Sequence, residues 1–64
     1  MTRDTFISLV RRRVARTGER WGQAAFNALA ELDPVLAEEV RSTRFDPFYD
    51  NSRVADMLDH VGIL

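Results

Sequence analysis

The chain has 64 residues, no cysteine, one histidine (His60) and a net charge of −1. That length is read as a single domain over residues 1–64, and the missing cysteines exclude disulfides and cysteine-based zinc sites. A chain of this size buries only about 60% of the surface its unfolded form exposes, so tight helix packing or self-association must supply what staples cannot.

The first helix is expected to start near Thr2 or Asp4, either of which can act as N-cap, and to end near Ala15 or Arg16. At about 100° per residue, Phe6, Ile7, Leu9, Val10 and Val14 share one face. Arg11, Arg12, Ala15 and Arg16 lie opposite, and Arg13 falls on the border. Gly18 then supplies a stop. A second helix is expected from Glu19 to Leu32, with Trp21, Ala25, Ala28, Leu29 and Leu32 as its apolar stripe, widened by Gly22 and Phe26. Its alanines and glycine allow another helix to approach closely.

Asp33-Pro34 reads as an N-cap followed by a first-turn proline, opening a third helix to about Arg41 or Ser42. Leu36 and Val40 are placed inward with Val35 beside them, while Glu38 and Glu39 point out. Pro47 breaks any helix between Thr43 and Asn51, yet Phe45, Phe48 and Tyr49 are too apolar for a free loop. An ordered segment lying over the helices is the expectation. Asn51 or Ser52 then caps a last helix, in which Val54, Met57, Leu58 and Val61 have helical spacing before Gly62. The fold class expected is all-α: a compact bundle of three to four short helices with an ordered aromatic loop before the last.

No run approaches the roughly 18 apolar residues of a membrane span, and Met1-Thr2-Arg3-Asp4 does not read as a signal peptide, so a cytoplasmic location is expected. Charge is unevenly placed: residues 1–20 hold six arginines against two acids, and residues 21–64 hold three against eight. All nine basic residues are arginine, a type suited to bidentate bonding of phosphate or carboxylate, although GC-rich codon bias accounts for it more simply.

Two segments hold five of the six aromatic side chains, Arg20-Trp21-Gly22-Gln23-Ala24-Ala25-Phe26-Asn27-Ala28-Leu29 and Thr43-Arg44-Phe45-Asp46-Pro47-Phe48-Tyr49-Asp50. Their pattern resembles a family of short, uncharacterised proteins encoded in phages and in bacterial genomes, often within prophages. The shared features are Arg-aromatic-Gly-Gln-Ala, a Phe-Asn pair, Asp-Pro-Phe and a last amphipathic helix, over roughly residues 19–61. Where that family is expected to carry a Gly-Thr turn, this chain has Ser42-Thr43-Arg44, which makes a less sharp end to the third helix the expectation. The resemblance implies a mobile-element context and no particular chemistry.

Candidate sites follow from these segments. Arg11, Arg12, Arg13 and Arg16 could grip a phosphate backbone or an acidic partner, but no aromatic residue interleaves with them for base stacking. The basic head could equally pair with the acidic body, within one chain or across a dimer. A helix-turn-helix reading fails because the third helix exposes two glutamates. Trp21 and Phe26 read as core anchors, and Gln23 or Asn27 is expected to hold the Asp46–Asp50 loop, the four forming a structural clasp. Asp46 and Asp50 lack the alternation of a calcium loop and are read as turn or cap residues. Asp56 and His60 lie one turn apart, with no nucleophile recognisably placed for them.

The reading is a non-enzymatic accessory protein with no cofactor or metal, which binds and modulates or inhibits a host protein. Its expected contact surface is the exposed part of Phe45, Phe48 and Tyr49, rimmed by Asp46 and Asp50. The alternative is a nucleic-acid-binding accessory protein using the first helix, and a homo-oligomer is also open.

Overall fold

The computed structural model describes residues 1–64 and contains four α-helices, a single 3-10 turn and no strand. Helix α1 spans Arg3–Thr17, α2 Trp21–Leu32, α3 Pro34–Val40 and α4 Val54–Val61, with the 3-10 turn Asn51–Arg53 leading into α4. The all-α expectation holds, with the aromatic segment ordered between α3 and α4.

Local chemistry explains most of the boundaries. Thr2 accepts the Thr5 N–H at the start of α1, and Gly18 ends that helix at φ +74°, a left-handed backbone open to glycine. Asp33 accepts the Leu36 N–H at 3.0 Å with Pro34 in the first turn of α3, as its sequence requires. Gly62 closes α4 in the same way as Gly18 closes α1.

Three boundaries depart from expectation. Helix α2 begins at Trp21 rather than Glu19, because the Glu19 side chain turns back to Arg13, Thr17 and Asn27 and leaves the helix path. Helix α3 stops at Val40, since Ser42 takes a left-handed backbone at φ +62°. The end is therefore sharp, despite the lack of glycine there. Asp50 caps the 3-10 turn that leads into α4, accepting both the N–H and the hydroxyl of Ser52, and Arg53 precedes α4 without a side-chain cap, so neither Asn51 nor Ser52 caps that helix.

Helix α2 is the central element, packed on α1 and α3 and touching the 3-10 turn. It contributes Ala24, Ala25, Phe26, Ala28 and Leu29 to a core completed by Phe6 and Val10, Ala37 and Val40, and Val54, Met57 and Leu58. Its small side chains let the neighbouring helices close in, which raises dispersion contact in a core of few residues. Arg3 ties the two ends of the chain together, donating to the Ile63 carbonyl and to Asp59. Leu32 and Val35 do not enter this core: they are 50% and 72% exposed. The Asp33-Pro34 junction redirects the chain there, so the inward face of α3 is Ala37 and Val40 with Leu36 half-buried. No helix is long and apolar enough to cross a membrane.

Candidate functional site

The aromatic segment begins where Thr43 accepts the Phe45 N–H and donates its hydroxyl to the Val40 carbonyl. Asp46 organises the next turn with both carboxylate oxygens, one accepting the Ser42 N–H at 2.8 Å and the other the Phe48 N–H at 2.9 Å. Pro47 is buried, and its carbonyl accepts the Asp50 N–H at 3.0 Å. These bonds satisfy backbone groups that a non-helical segment would otherwise leave bare. Asp46 and Asp50 are thus turn-forming residues, in line with one reading of the sequence. Both remain half-exposed beside Tyr49, Asp46 with its oxygens engaged by backbone N–H groups and Asp50 bonded to Ser52 and Arg53.

What holds the segment onto α2 differs from expectation. Gly22 lies directly under Pro47, and a Cβ added at Gly22 would sit inside van der Waals contact with the Pro47 carbonyl. The Gly22 N–H donates to Asn51 Oδ1 at 2.8 Å, and Arg20 donates to the Phe48 carbonyl at 3.0 Å. Neither Gln23 nor Asn27 touches the loop by a hydrogen bond. Asn27 donates instead to Glu19, whose carboxylate also receives Arg13 at 2.7 Å and the Thr17 hydroxyl at 2.8 Å. The helix face that carries Asn27 looks toward the α1–α2 connection, which the residue type alone could not reveal. Trp21 is half-buried at the core margin, while Phe26 is 2% exposed and is the aromatic anchor of the clasp.

The three loop aromatics have three different environments. Phe48 meets Phe26 edge to face with ring centroids 6.0 Å apart, so it is a partner of the core. Phe45 is half-buried, stacked on His60 at 4.0 Å with the Arg44 guanidinium 4.9 Å from its ring. Tyr49 stands out at 87% exposure, its ring edge-on to Phe48 at 4.8 Å. Only Tyr49 offers its whole face.

Arginines surround this surface. The Arg20 guanidinium lies 5.9 Å from the Tyr49 ring, and Arg41 lies 5.0 Å from the Phe26 ring. A depression of about 200 Å³ between Phe26, Arg41, Ser42, Asp46, Phe48 and Tyr49 opens on one side of the tyrosine. A second of about 380 Å³ shares Ser42, Asp46 and Tyr49 with it and extends to Thr43, Asp50 and Arg53. Arg20 and Arg41 join the two aspartates, which line these depressions, in a rim of mixed charge. Arg20 adjoins Trp21 in sequence and was within reach of inspection; Arg41 is brought to Phe26 only by the fold.

The arginine cluster of α1 is divided. Arg13 is held by Glu19 and Glu31, and both carboxylates keep its guanidinium charged by accepting from it. Glu19 is correspondingly held below the usual carboxyl range, first by the Thr17 hydroxyl and then by Arg13 and Asn27, against the opposing effect of burial. Arg12 and Arg16 flank a groove with Leu9 and Leu32, whereas Arg11 lies about 100° round the helix from Arg12. None of Arg11, Arg12 and Arg16 has an ion-pair partner in the chain. Arg3 with Asp59 and Arg13 with Glu31 show the basic head pairing partly with the acidic body.

His60 stacks on Phe45, and Asp56 makes no bond to it, so the pair does not form an acid–base unit. No three His, Asp or Glu side chains converge as a metal would require. Comparison with known proteins finds no family model, no curated protein and no solved structure that matches this chain.

Proposed function

We propose that this chain is a non-enzymatic, cytoplasmic accessory protein that acts by binding another protein, with Tyr49 at the centre of the contact. The observation that supports this reading most is the exposure of Tyr49 on a rigid base. Its ring rests on Phe48, Phe48 rests on Phe26, Arg20 lies by the tyrosine ring and Arg41 by that of Phe26. Tyrosine and arginine next to small depressions are the side chains from which interface hot spots are built. A tyrosine fixed on a packed support also loses little freedom on binding. The resemblance of the two aromatic segments to phage and prophage proteins favours a bacterial host protein as the partner, and modulation or inhibition as the outcome.

The competing reading is nucleic-acid contact through Arg11, Arg12 and Arg16, which the absence of intrachain ion pairs at these residues favours. Affinity capture from host lysate with the wild-type chain and Tyr49→Ala, followed by reconstitution with the purified captured protein, tests the first reading. A partner held by the wild type and lost by the variant is expected. Equal retention by both would remove Tyr49 from the contact. Salt titration of binding to arbitrary duplex tests the second: affinity that persists at physiological salt and falls with a steep logarithmic slope would favour it over the first.

A further inference from the structure

We propose that the corner where α2 meets α3 is a self-association surface, and that its occupant is a second copy of this chain. Leu32 and Val35 sit three residues apart across the Asp33-Pro34 junction, 50% and 72% exposed. Met1, Leu64 and Tyr49 are the other large apolar side chains left open, two of them at the chain ends. A domain with so small a core leaves two good core residues uncovered at one corner.

The two sides of this corner carry opposite charge. On one side Leu32 and Leu9 line a groove of about 270 Å³ between α1 and α2, with Arg12 and Arg16 on its rim. Neither arginine has a counter-ion in the chain, and the groove's own acid, Glu31, is bound to Arg13. On the other side Val35, Glu38 and Glu39 occupy positions i, i+3 and i+4 of α3, one exposed turn with an apolar anchor and two carboxylates. Glu39 has no ion-pair partner, and Glu38 meets only Arg41 in a pair exposed on both sides. Such a pair contributes little and is readily exchanged.

The stripe on α3 therefore complements the groove in both apolar and charged character. Leu32 lines the groove and Val35 follows it by three residues, so in a two-fold dimer the α3 of each copy would sit on the groove of the other. The contact is then made twice, as an isologous dimer requires. A duplex would use the arginines alone, leaving Leu32 and Val35 idle and meeting repulsion from Glu38 and Glu39. An acidic peptide would fill the groove and leave the α3 stripe unused. The second copy uses both halves.

A stable dimer buries about 800 Å² per partner, roughly a fifth of the 4050 Å² that this chain exposes. Two small anchors with ion pairs at the rim fall short of that, which sets the expectation of a weak, salt-sensitive dimer. Sedimentation equilibrium should show the dimer fraction rising between about 10 µM and about 1 mM protein at low salt, and falling in about 0.5 M salt. The double charge reversals Arg12→Glu with Arg16→Glu, and Glu38→Arg with Glu39→Arg, should each sediment as monomers. Their equimolar mixture should recover the dimer, because both halves of the contact are then complementary again. Val35→Asp, at a site already exposed, should be monomeric with an unchanged thermal melt. A wild-type monomer throughout the range, dimers in either reversed variant, or a mixture that stays monomeric would each overturn the proposal. So would a monomer that binds duplex or poly-glutamate through Arg12 and Arg16. The surface meets that around Tyr49 only through the exposed Glu38–Arg41 pair, which Val35→Asp leaves intact, so either proposal can fail alone.

Discussion

Asn51 caps the second helix from across the fold: its Oδ1 accepts the Gly22 N–H at 2.8 Å, from 29 positions further along the chain. Arg20, the residue that precedes the helix, has no side-chain cap to offer. The clasp between α2 and the aromatic segment is therefore also the N-terminal cap of α2. Asn51→Ala should lower stability by about 1 kcal/mol, the usual worth of a cap, while Asn51→Asp should retain it because a carboxylate is favoured at a helix N-terminus. Thermal melts check both. For a domain of this size about 1 kcal/mol corresponds to a shift of about 4–8 °C.

Gly22→Ala should be the more damaging change at the same junction. The added Cβ meets the Pro47 carbonyl, which is backbone and cannot rotate away, and lies 3.1 Å from the Asn51 oxygen. The segment from Pro47 to Asn51 would have to lift off α2, at a cost of about 3 kcal/mol or more. Urea unfolding should show the loss. Alanine at exposed Gly18, where a Cβ meets nothing, carries only the cost of its left-handed backbone, about 1 kcal/mol.

Ser42→Gly should stabilise the protein. Ser42 holds φ +62° at the end of α3, a region that costs a residue with a Cβ about 1 kcal/mol or more. Its N–H still reaches Asp46 in the glycine variant, since that bond uses backbone alone. After the greater freedom of glycine in the unfolded chain is counted, a gain of about 0.5 kcal/mol remains. The melting temperature should rise by a few degrees.

Phe48→Ala and Tyr49→Ala should separate folding from binding. Phe48 packs on Phe26 and is half-buried, so its removal should cost about 2 kcal/mol, below the figure for a fully buried phenylalanine. Tyr49, at 87% exposure, should leave the melt within about 0.5 kcal/mol of wild type. Comparable destabilisation by the two variants would place Tyr49 in the packing unit.

Acid should weaken the fold partly through Glu19. Hydrogen bonds from Thr17, Arg13 and Asn27 lower its native pKa, so the unfolded chain binds the proton more readily in the window between the two values. The contribution is therefore complete above the ordinary glutamate value of about 4.3 and is lost as pH falls through the lowered native one. Asp50, lowered by Ser52, acts in the same direction. Stability measured from pH 7 downward should fall less steeply below about pH 4 in Glu19→Gln than in wild type, starting from a lower value at neutral pH.

Much of the helix pattern was legible because it is written in local chemistry. Thr2 with Thr5, Gly18, Asp33-Pro34 and Gly62 each act within one turn of their own position. The buried faces of α1 and α4 follow from periodicity alone, as Phe6, Val10, Val54, Met57 and Leu58 show. The candidate site was legible only as a set of aromatic residues. Which of them stays open depends on whether Phe26 and Phe48 meet, and that contact joins two elements with a whole helix between them in the chain.

Turn chemistry and helical periodicity act over a few residues, and they suffice to make this a helical chain with an ordered aromatic segment around Pro47. Long-range packing set the rest. It gave Gly22 its place beneath Pro47 and withdrew Asn27 and Arg13 to Glu19. It also left Leu32, Val35 and Tyr49 uncovered. A side chain's type limits which bonds it can make, but only packing settles which partners come within a few ångströms of it.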